Sequence, residues 1–254
     1  MLRLVFSRRA GLTTLLVLAA TAVLVRLGIW QLDRFTQHQA FNAHLKVVRA
    51  APVLVLSENL SSLDLTQMEY RAVMATGKFD YDHQVAIRNQ VWTQSWGDDI
   101  GFSLLTPLVL SNGQAVWVER GWIPSQYNTP GVWRQFDEPG VMLVEGILRL
   151  PLKKGEMGGG VPDPTLAPGQ TRLDFWNYVH IERLQRQVPY LTLPIYIQQT
   201  VADSPTSLPY RYQPVLDSND SPHLGYAMMW FFYAILLCAG YPIYLARQEN
   251  RRVK

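Results

Sequence analysis

The fold is decided by the stretch 221–234, SPHLGYAMMWFFYA, which begins a long apolar run near the C-terminus. From Leu224 to Leu245 no residue is charged. At about 1.5 Å of rise per residue, this run extends roughly 33 Å, which is enough to cross the hydrocarbon core of a bilayer. Ser221 is suited to cap the helix, and Pro222 is suited to its first position. The stretch therefore predicts a transmembrane helix whose first turn carries His223.

His223 lies where this helix should meet the membrane surface. Tyr226 and Trp230 follow it at i+3 and i+7, so both lie on its side of the helix. A histidine above an aromatic, apolar stripe is suited to act as an axial haem ligand, with His223 binding the metal. Histidine, tyrosine and tryptophan also occupy membrane interfaces without binding a ligand, because each has an apolar body and a polar tip. The position alone leaves both interpretations open.

A second apolar segment covers residues 10–30 and is interrupted only by Arg26. Apolar residues continue past 20–22, a motif that resembles a cleavage site, so we expect a retained membrane helix rather than a signal peptide. The helix is predicted to continue to about Arg49, because Ala51-Pro52 ends it. With the second span at 223–245, the chain divides into a tail 1–9, a large domain 31–222 and a tail 246–254.

Basic residues cluster at both ends of the chain. The first 30 residues contain four arginines and no acidic residue, and the tail after Leu245 contains four basic residues and one acidic residue. Positive flanks mark the cytoplasmic side of membrane helices. We therefore expect a multi-pass protein of the bacterial cell (inner) membrane, with both termini cytoplasmic and the large domain extracytoplasmic. No Lys/Arg stripe interleaved with aromatic residues occurs in this domain, so nucleic-acid binding is not expected.

The domain between the two spans is predicted to be a series of short strands, at 70–78, 84–89, 102–110, 114–120, 141–150 and 191–198. The first two strands are predicted to form a hairpin around residues 79–83, and Ser111-Asn112-Gly113 to close another. Residues 151–170 are predicted to be a loop, and residues 175–188 a short amphipathic helix. The expected fold class is a membrane protein with two transmembrane helices flanking an extracytoplasmic α+β domain, mainly antiparallel β and barrel-like.

The sequence contains no common catalytic motif. It has no His-Glu-x-x-His, Cys-x-x-Cys or Gly-x-Ser-x-Gly pattern, and its single cysteine, Cys238, lies inside the second span. Asp80, Asp82 and His83 could coordinate a cation, but such a group in a turn is also typical of solvated surface. Arg120 could offer its guanidinium to a carboxylate such as a haem propionate, or could simply end a strand. We expect no enzymatic activity.

Five ordered segments of the chain resemble the surfeit locus protein 1 family, whose members are assembly factors for cytochrome c oxidase. The segments are LGIWQLDR at 27–34, Gly101 with Thr106-Pro107-Leu108, VERGWIP at 118–124, VEGILR at 144–149, and HLGYA at 223–227 with Trp230-Phe231. The resemblance implies that the protein carries haem a to oxidase subunit I or aids its insertion. His223 matches the family histidine that is tied to haem a binding.

From this resemblance we hypothesise roles for the neighbouring residues and for partner proteins. Tyr226 and Trp230 would flank the porphyrin or its farnesyl tail within the membrane, and Arg26 or Arg120 would meet the propionates near the outer surface. The expected partners are cytochrome c oxidase subunit I, the haem a synthase and the lipid bilayer. The alternative is a cofactor-free membrane scaffold that stabilises nascent subunit I. The two hypotheses differ in whether the purified protein carries haem a.

Overall fold

A computed structural model describes residues 11–56, 63–94, 97–151, 162–200, 207–211 and 221–252. The chain forms two compact units, one of Met1–His44 with Val215–Lys254 and the other of Leu45–Pro214. Its described helices are α1 (Gly11–Ala50), the short α2 (Ile181–Leu184) and α3 (Ser221–Arg252). The first unit contains most of α1 and all of α3, and the second unit contains a mixed β-sheet with short helical turns.

Among the described residues, two helices are long and apolar enough to cross a membrane, as judged by length and composition. The candidate spans are Gly11–Ala50 and Pro222–Gln248. The prediction that the first helix continues to about Arg49 is confirmed, and its end before Pro52 follows from the steric restriction that proline places on the preceding residue. The prediction of two apolar helices flanking the sheet domain is likewise confirmed, while their insertion into a bilayer remains a prediction.

The helices α1 and α3 pack against each other in opposite directions. Thr14 Oγ1 lies 2.9 Å from the hydroxyl of Tyr241, near the end of α3. Further along α1, Gly28 faces Phe231, which lies earlier in α3, and a Cβ on Gly28 would lie 2.7 Å from Cε1 and Cζ of that ring. A later residue of α1 therefore contacts an earlier residue of α3, so the two helices are antiparallel. The absence of a side chain at Gly28 permits the close approach.

Within the described residues of the second unit, eight strands form one mixed sheet. The pairing order is β1-β2-β6-β8-β5-β4-β3-β7, and β2 also pairs with β4, so that β2, β6, β8, β5 and β4 form a closed circuit of pairings. Most pairings are antiparallel, and the parallel ones are β1–β2, β3–β7 and β5–β8. The strands are β1 (Leu54–Leu56), β2 (Ala72–Phe79), β3 (Val85–Gln94), β4 (Gly97–Leu110), β5 (Ala115–Pro124), β6 (Val141–Arg149), β7 (Phe175–Trp176) and β8 (Thr192–Gln199).

The predicted hairpin around residues 79–83 is wrong. β2 pairs with β6 and with the end of β4, whereas β3 pairs with β4 and β7. The connection is a 3-10 turn, Tyr81–His83, in which the Asp80 side chain accepts a hydrogen bond from the backbone N–H of Asp82. Asp80 N–H also donates to the carbonyl of Pro107. These bonds hold the turn against β4, so that β4 rather than β3 lies beside β2.

The predicted helix over 175–188 is correct only in part. Residues Phe175 and Trp176 extend the sheet as β7, and the helix is the single turn Ile181–Leu184, followed by a 3-10 turn at Gln185–Gln187. Trp176 is 1% exposed and packs in a cluster with Trp117 and Leu184. Burial of this large side chain against the sheet outweighs the weak helical periodicity. The strand predictions at 102–110, 114–120, 141–150 and 191–198 are confirmed to within a few residues.

The main core cluster is formed by apolar side chains that alternate along neighbouring strands. Val118 on β5, Val144 on β6 and Ile195 on β8 are fully buried in it. The predicted turn at residues 111–113 joins β4 and β5, and Gly113 has a φ of 80°, a left-handed conformation that glycine adopts without strain. Of the predicted loop 151–170, residues 152–161 lie outside the described residues.

Candidate functional site

His223 lies in the first turn of α3, where two side chains of α1 contact its ring. Its Nδ1 is 2.8 Å from Oε1 of Gln31. The ring of His38 stacks on it, with centroids 4.9 Å apart and an angle of 23° between the planes. Gln31 and His38 are seven residues apart, which is about two turns of helix, so both face α3. Three polar side chains from two apolar helices therefore meet at one place.

The contact with Gln31 favours one tautomer of the neutral His223 ring. An amide oxygen can only accept a hydrogen bond, so the contact with Oε1 is a hydrogen bond in the tautomer that carries its proton on Nδ1. In the neutral imidazole the lone pair then lies on Nε2, for which the described residues offer no hydrogen-bond partner. A neutral imidazole whose other nitrogen donates to an oxygen is the form in which histidine ligates metals.

The aromatic residues below His223 remain accessible. Tyr226 is 50% exposed, and Trp230 is partly buried. Between them, Ala227 is buried. The structure therefore leaves aromatic surface on α3 next to the histidine. The roles predicted for Tyr226 and Trp230, contact with a porphyrin, remain predictions.

The two arginines predicted to meet propionates differ in their surroundings. Arg26 is exposed on α1. It precedes Gln31 by five residues, which places it roughly 140° around the helix from the face that meets α3. Its contact with a propionate therefore remains a prediction without support from a described contact.

Arg120 is buried in the sheet unit, where its guanidinium is hydrogen-bonded to other residues of the unit. Its side chain has no exposed surface, Nη1 donates to Gln84 Oε1 at 2.9 Å, and Nη2 donates to Glu138 Oε1 at 2.9 Å and to the carbonyl of Phe136. Burial acts to raise the pKa of Glu138, but the hydrogen bond from Arg120 and the charge of Arg211 lower it overall. With its guanidinium enclosed in this way, Arg120 is a structural residue in this fold and does not offer the accessible guanidinium predicted from the sequence.

Asp80 and His83, considered as cation ligands, instead form part of a hydrogen-bonded turn. Asp80 Oδ2 lies 2.7 Å from His83 Nδ1 and accepts from the hydroxyl of Tyr190 at 2.8 Å. Burial acts to raise the pKa of Asp80, yet the hydrogen bonds from Tyr190 and His83 lower it overall. Burial, together with the hydrogen bond to Asp80, raises the pKa of Tyr190. In the described part of the chain, no group of three or more His, Cys, Asp or Glu residues could hold a metal ion.

A cavity of about 370 Å³ lies beside Glu119 in the sheet unit. Glu119 Oε1 accepts from Ser103 Oγ at 2.6 Å, and Oε2 accepts from Gln198 Nε2 at 3.2 Å. Burial raises the pKa of Glu119, although Ser103, Arg149 and Gln198 oppose the shift. In the sequence, the only signal is one acidic residue within the apolar strand β5. Likewise, Gln31 lies within the segment LGIWQLDR that resembles the family, but the sequence assigns no role to Gln31 or His38, since that role depends on contact with His223 across 192 and 185 positions.

A family model, described as the SURF1 family, matches residues 18–235. The chain belongs to the SURF1 family. The match covers most of the chain, extends from α1 into α3 and includes Gln31, His38 and His223. The resemblance to the surfeit locus protein 1 family, inferred from the sequence, is thereby confirmed.

Curated SURF1-like proteins from distant organisms are similar along most of the chain. One from Caenorhabditis briggsae is 23% identical over 235 residues, covering 86% of this chain and 70% of the relative. One from Monosiga brevicollis is 25% identical over 255 residues, covering 97% of this chain and 92% of the relative. A bacterial one, from Rickettsia conorii, is 27% identical over 244 residues, covering 92% of each. The similarity to SURF1-like proteins therefore includes both helices and the sheet unit.

Proposed function

We propose that the protein is an assembly factor for a haem-copper cytochrome c oxidase that binds haem a and aids its insertion into subunit I. Membership of the SURF1 family, known generally for oxidase assembly factors, supports the assembly role. The observation that supports the haem part is the contact of His223 Nδ1 with Gln31 Oε1, which leaves Nε2 of the ring without a hydrogen-bond partner among the described residues.

The residues around His223 fit a haem iron. Iron in haem proteins is commonly held by a neutral histidine, and in the neutral ring the contact with Gln31 favours the tautomer whose lone pair lies on Nε2. When bound, haem a would supply an iron that accepts the Nε2 lone pair and an apolar ring and tail suited to lipid. Tyr226 and Trp230 would offer aromatic surface to the ring, while His38 restrains the plane of His223 by stacking.

The proposed role is that of a carrier and not of an enzyme. A cofactor that is passed to another protein must dissociate, so the affinity for haem a should be moderate. A single neutral imidazole held by one hydrogen bond is consistent with reversible ligation. The partners would be subunit I as acceptor and a haem a synthase as source, with the lipid bilayer as the surrounding medium.

The proposed location is the bacterial cell membrane, crossed by α1 and α3. Because the two helices are antiparallel, the start of α1 lies beside the end of α3. Basic residues cluster in the sequence at both of these ends. By the positive-inside rule, both termini would be cytoplasmic and the sheet unit extracytoplasmic.

Purification from cells that make haem a tests the carrier role against the cofactor-free scaffold. The full chain would be extracted in mild detergent, and haem a and co-purifying oxidase subunits would be quantified per protein. We expect haem a to co-purify with the protein. Colourless protein that still retains oxidase subunits would contradict the carrier role and favour the scaffold.

A further inference from the structure

The cavity beside Glu119 has the features of a second binding site, within the sheet unit. Its volume, about 370 Å³, lies in the range of small-ligand pockets, roughly 300–1,000 Å³. Three strands and the segment after β7 contribute to its lining. The residues that matter most are Arg88, Asn89, Glu119, Tyr178 and Tyr196.

One wall of the cavity is built by an irregularity in β3. The pairing of β3 with β4 shifts between Ile87 and Gln90, and Asn89 at this point has a φ of 58°. Asparagine is one of the few residues that tolerate this left-handed conformation. Bulges of this kind re-aim side chains and are frequent beside functional sites. The cavity therefore does not result from loose packing of a regular sheet.

The part of the lining that follows β7 is held by a buried carboxylate. Asp163, which is 9% exposed, accepts hydrogen bonds through Oδ1 from the backbone N–H groups of Asn177 at 2.7 Å and Tyr178 at 3.1 Å. Its Oδ2 lies 3.3 Å from Nη1 of Arg183. These bonds fix the segment that carries Tyr178 against the cavity.

The Glu119 carboxylate lines the cavity without an ion-pair partner among the described residues. Each oxygen accepts one hydrogen bond, from Ser103 or Gln198, and each retains a further lone pair. Burial raises the pKa of this carboxyl, and a cation bound beside it would favour its ionised form. Carboxylates with little exposed surface are normally paired with a cation, and Glu119 is only partly exposed, so this group has acceptor capacity that a ligand can satisfy.

Arg88, which lines the cavity, and Arg149, which acts on Glu119, each contact other groups. Arg88 has its guanidinium 4.8 Å above the ring of Phe175. Arg149, whose charge acts on Glu119, lies 3.4 Å from Glu69 Oε1 and donates to Gln198 Oε1 at 3.1 Å. Neither arginine forms an ion pair with Glu119.

We propose that this cavity binds a protonated amine or guanidinium group, with Glu119 as its counter-charge. Tyr178 and Tyr196 add aromatic surface that favours a cation. A group with N–H donors matches the free lone pairs of one carboxylate, whereas a metal ion needs several ligands. The same chemistry is presented by a free small amine or by the basic side chain of a partner polypeptide. The inference does not depend on haem binding.

Calorimetric titration of the full chain in detergent tests the site with defined probes. The probes are butylamine, N-acetylarginine amide and its neutral analogue N-acetylcitrulline amide. We expect both cations to bind and the citrulline compound not to bind. An arginine-containing tripeptide that binds at least tenfold more tightly than N-acetylarginine amide would identify a polypeptide as the source. Equal affinity would identify a small free cation.

Glu119→Gln preserves the shape of the side chain and should weaken cation binding at least tenfold. The matched control is Glu145→Gln, which removes the same charge from an exposed position on β6 and should leave binding unchanged. Tyr178→Leu provides a second variant, expected to weaken binding without altering charge, and circular dichroism checks that each variant is folded. Absence of cation binding, equal binding of the citrulline compound, or unchanged binding by Glu119→Gln would each overturn the proposal.

Discussion

A single hydrogen bond determines which nitrogen of His223 is available to a ligand. Gln31 holds Nδ1 at 2.8 Å, and the stacked ring of His38 restrains the plane. Sequence spacing alone places His223 at the start of an apolar helix, but it contains no information on the residue that meets the ring from another helix. The candidate ligand could thus be predicted from the sequence, whereas the residues that orient it could not.

Replacing Gln31 should weaken the proposed haem a binding. Gln31→Leu removes the acceptor for Nδ1–H, and loss of such a supporting partner typically costs about 10–100-fold in metal affinity. Gln31→Glu retains an acceptor and should retain binding. Spectroscopic titration of the purified variants with haem a measures both effects. Gln39→Leu, at an exposed position on the same helix, is the control, and equal affinity of Gln31→Leu and wild type would show that the hydrogen bond has no role.

Glu138 makes the stability of the sheet unit depend on pH. Burial acts to raise its pKa, but Arg120 and Arg211 lower it overall, so the folded pKa lies below the unfolded value of about 4.3. Its contribution is therefore present above pH 4.3 and is lost as the pH falls through the folded pKa. Glu138→Gln should cost about 2 kcal/mol at neutral pH, the scale of a hydrogen bond to a charged group.

Thermal unfolding of wild type and Glu138→Gln from pH 7 to pH 3 measures this effect. The difference between the two midpoints should narrow at the acid end, because the wild-type carboxylate becomes protonated. Glu145→Gln, at an exposed position, should show little difference from wild type at any pH. A constant difference for Glu138→Gln down to pH 3 would argue against the ion pair as its source.

At the scale of elements, the apolar helices were predictable and the strand partners were not. α1 and α3 are set by long apolar runs, the first interrupted only by Arg26, and by proline at their boundaries, all of which are local signals. One partner of β2 is β6, whose residues lie about 70 positions later in the chain. Nothing within residues 70–89 distinguishes a local hairpin from this distant pairing. The ion pair of Arg120 was equally unpredictable, because its partner Glu138 lies beyond the end of β5, the strand that carries Arg120.

Gly28 should be essential for the packing of α1 against α3. A Cβ at this position would lie 2.7 Å from the Phe231 ring, so Gly28→Leu must displace that ring or separate the helices. Overpacking of this kind typically costs about 1–3 kcal/mol. Denaturant titration of the full chain in detergent, followed by tryptophan fluorescence, measures the loss. Gly240→Leu, where a Cβ would have no neighbour within 4 Å, should be nearly neutral, and equal effects of both variants would contradict the packing.

For the whole molecule, the sequence correctly predicts two apolar helices around a largely antiparallel sheet unit. The pairing circuit of β2, β6, β8, β5 and β4 joins several strands that are distant in the chain. The register of that circuit depends on contacts between distant strands and could not be read from periodicity.

The proposed orientation predicts that both termini lie on the same side of the membrane. Fluorescent reporters that fold only in the cytoplasm should be active when fused to either terminus. A reporter that requires export should be active when inserted at residues 111–113, in the turn between β4 and β5. Activity of the export reporter at either terminus would contradict the charge-based orientation.

The central claim, that His223 ligates haem a, is tested most directly by titrating the purified chain with haem a in detergent. Wild type should give a saturable shift of the Soret band, and His223→Ala should lose that shift or weaken binding at least tenfold. His44→Ala, at an exposed position on α1, should behave as wild type. An identical spectrum and affinity for His223→Ala would show that haem a binding, if present, does not use this residue.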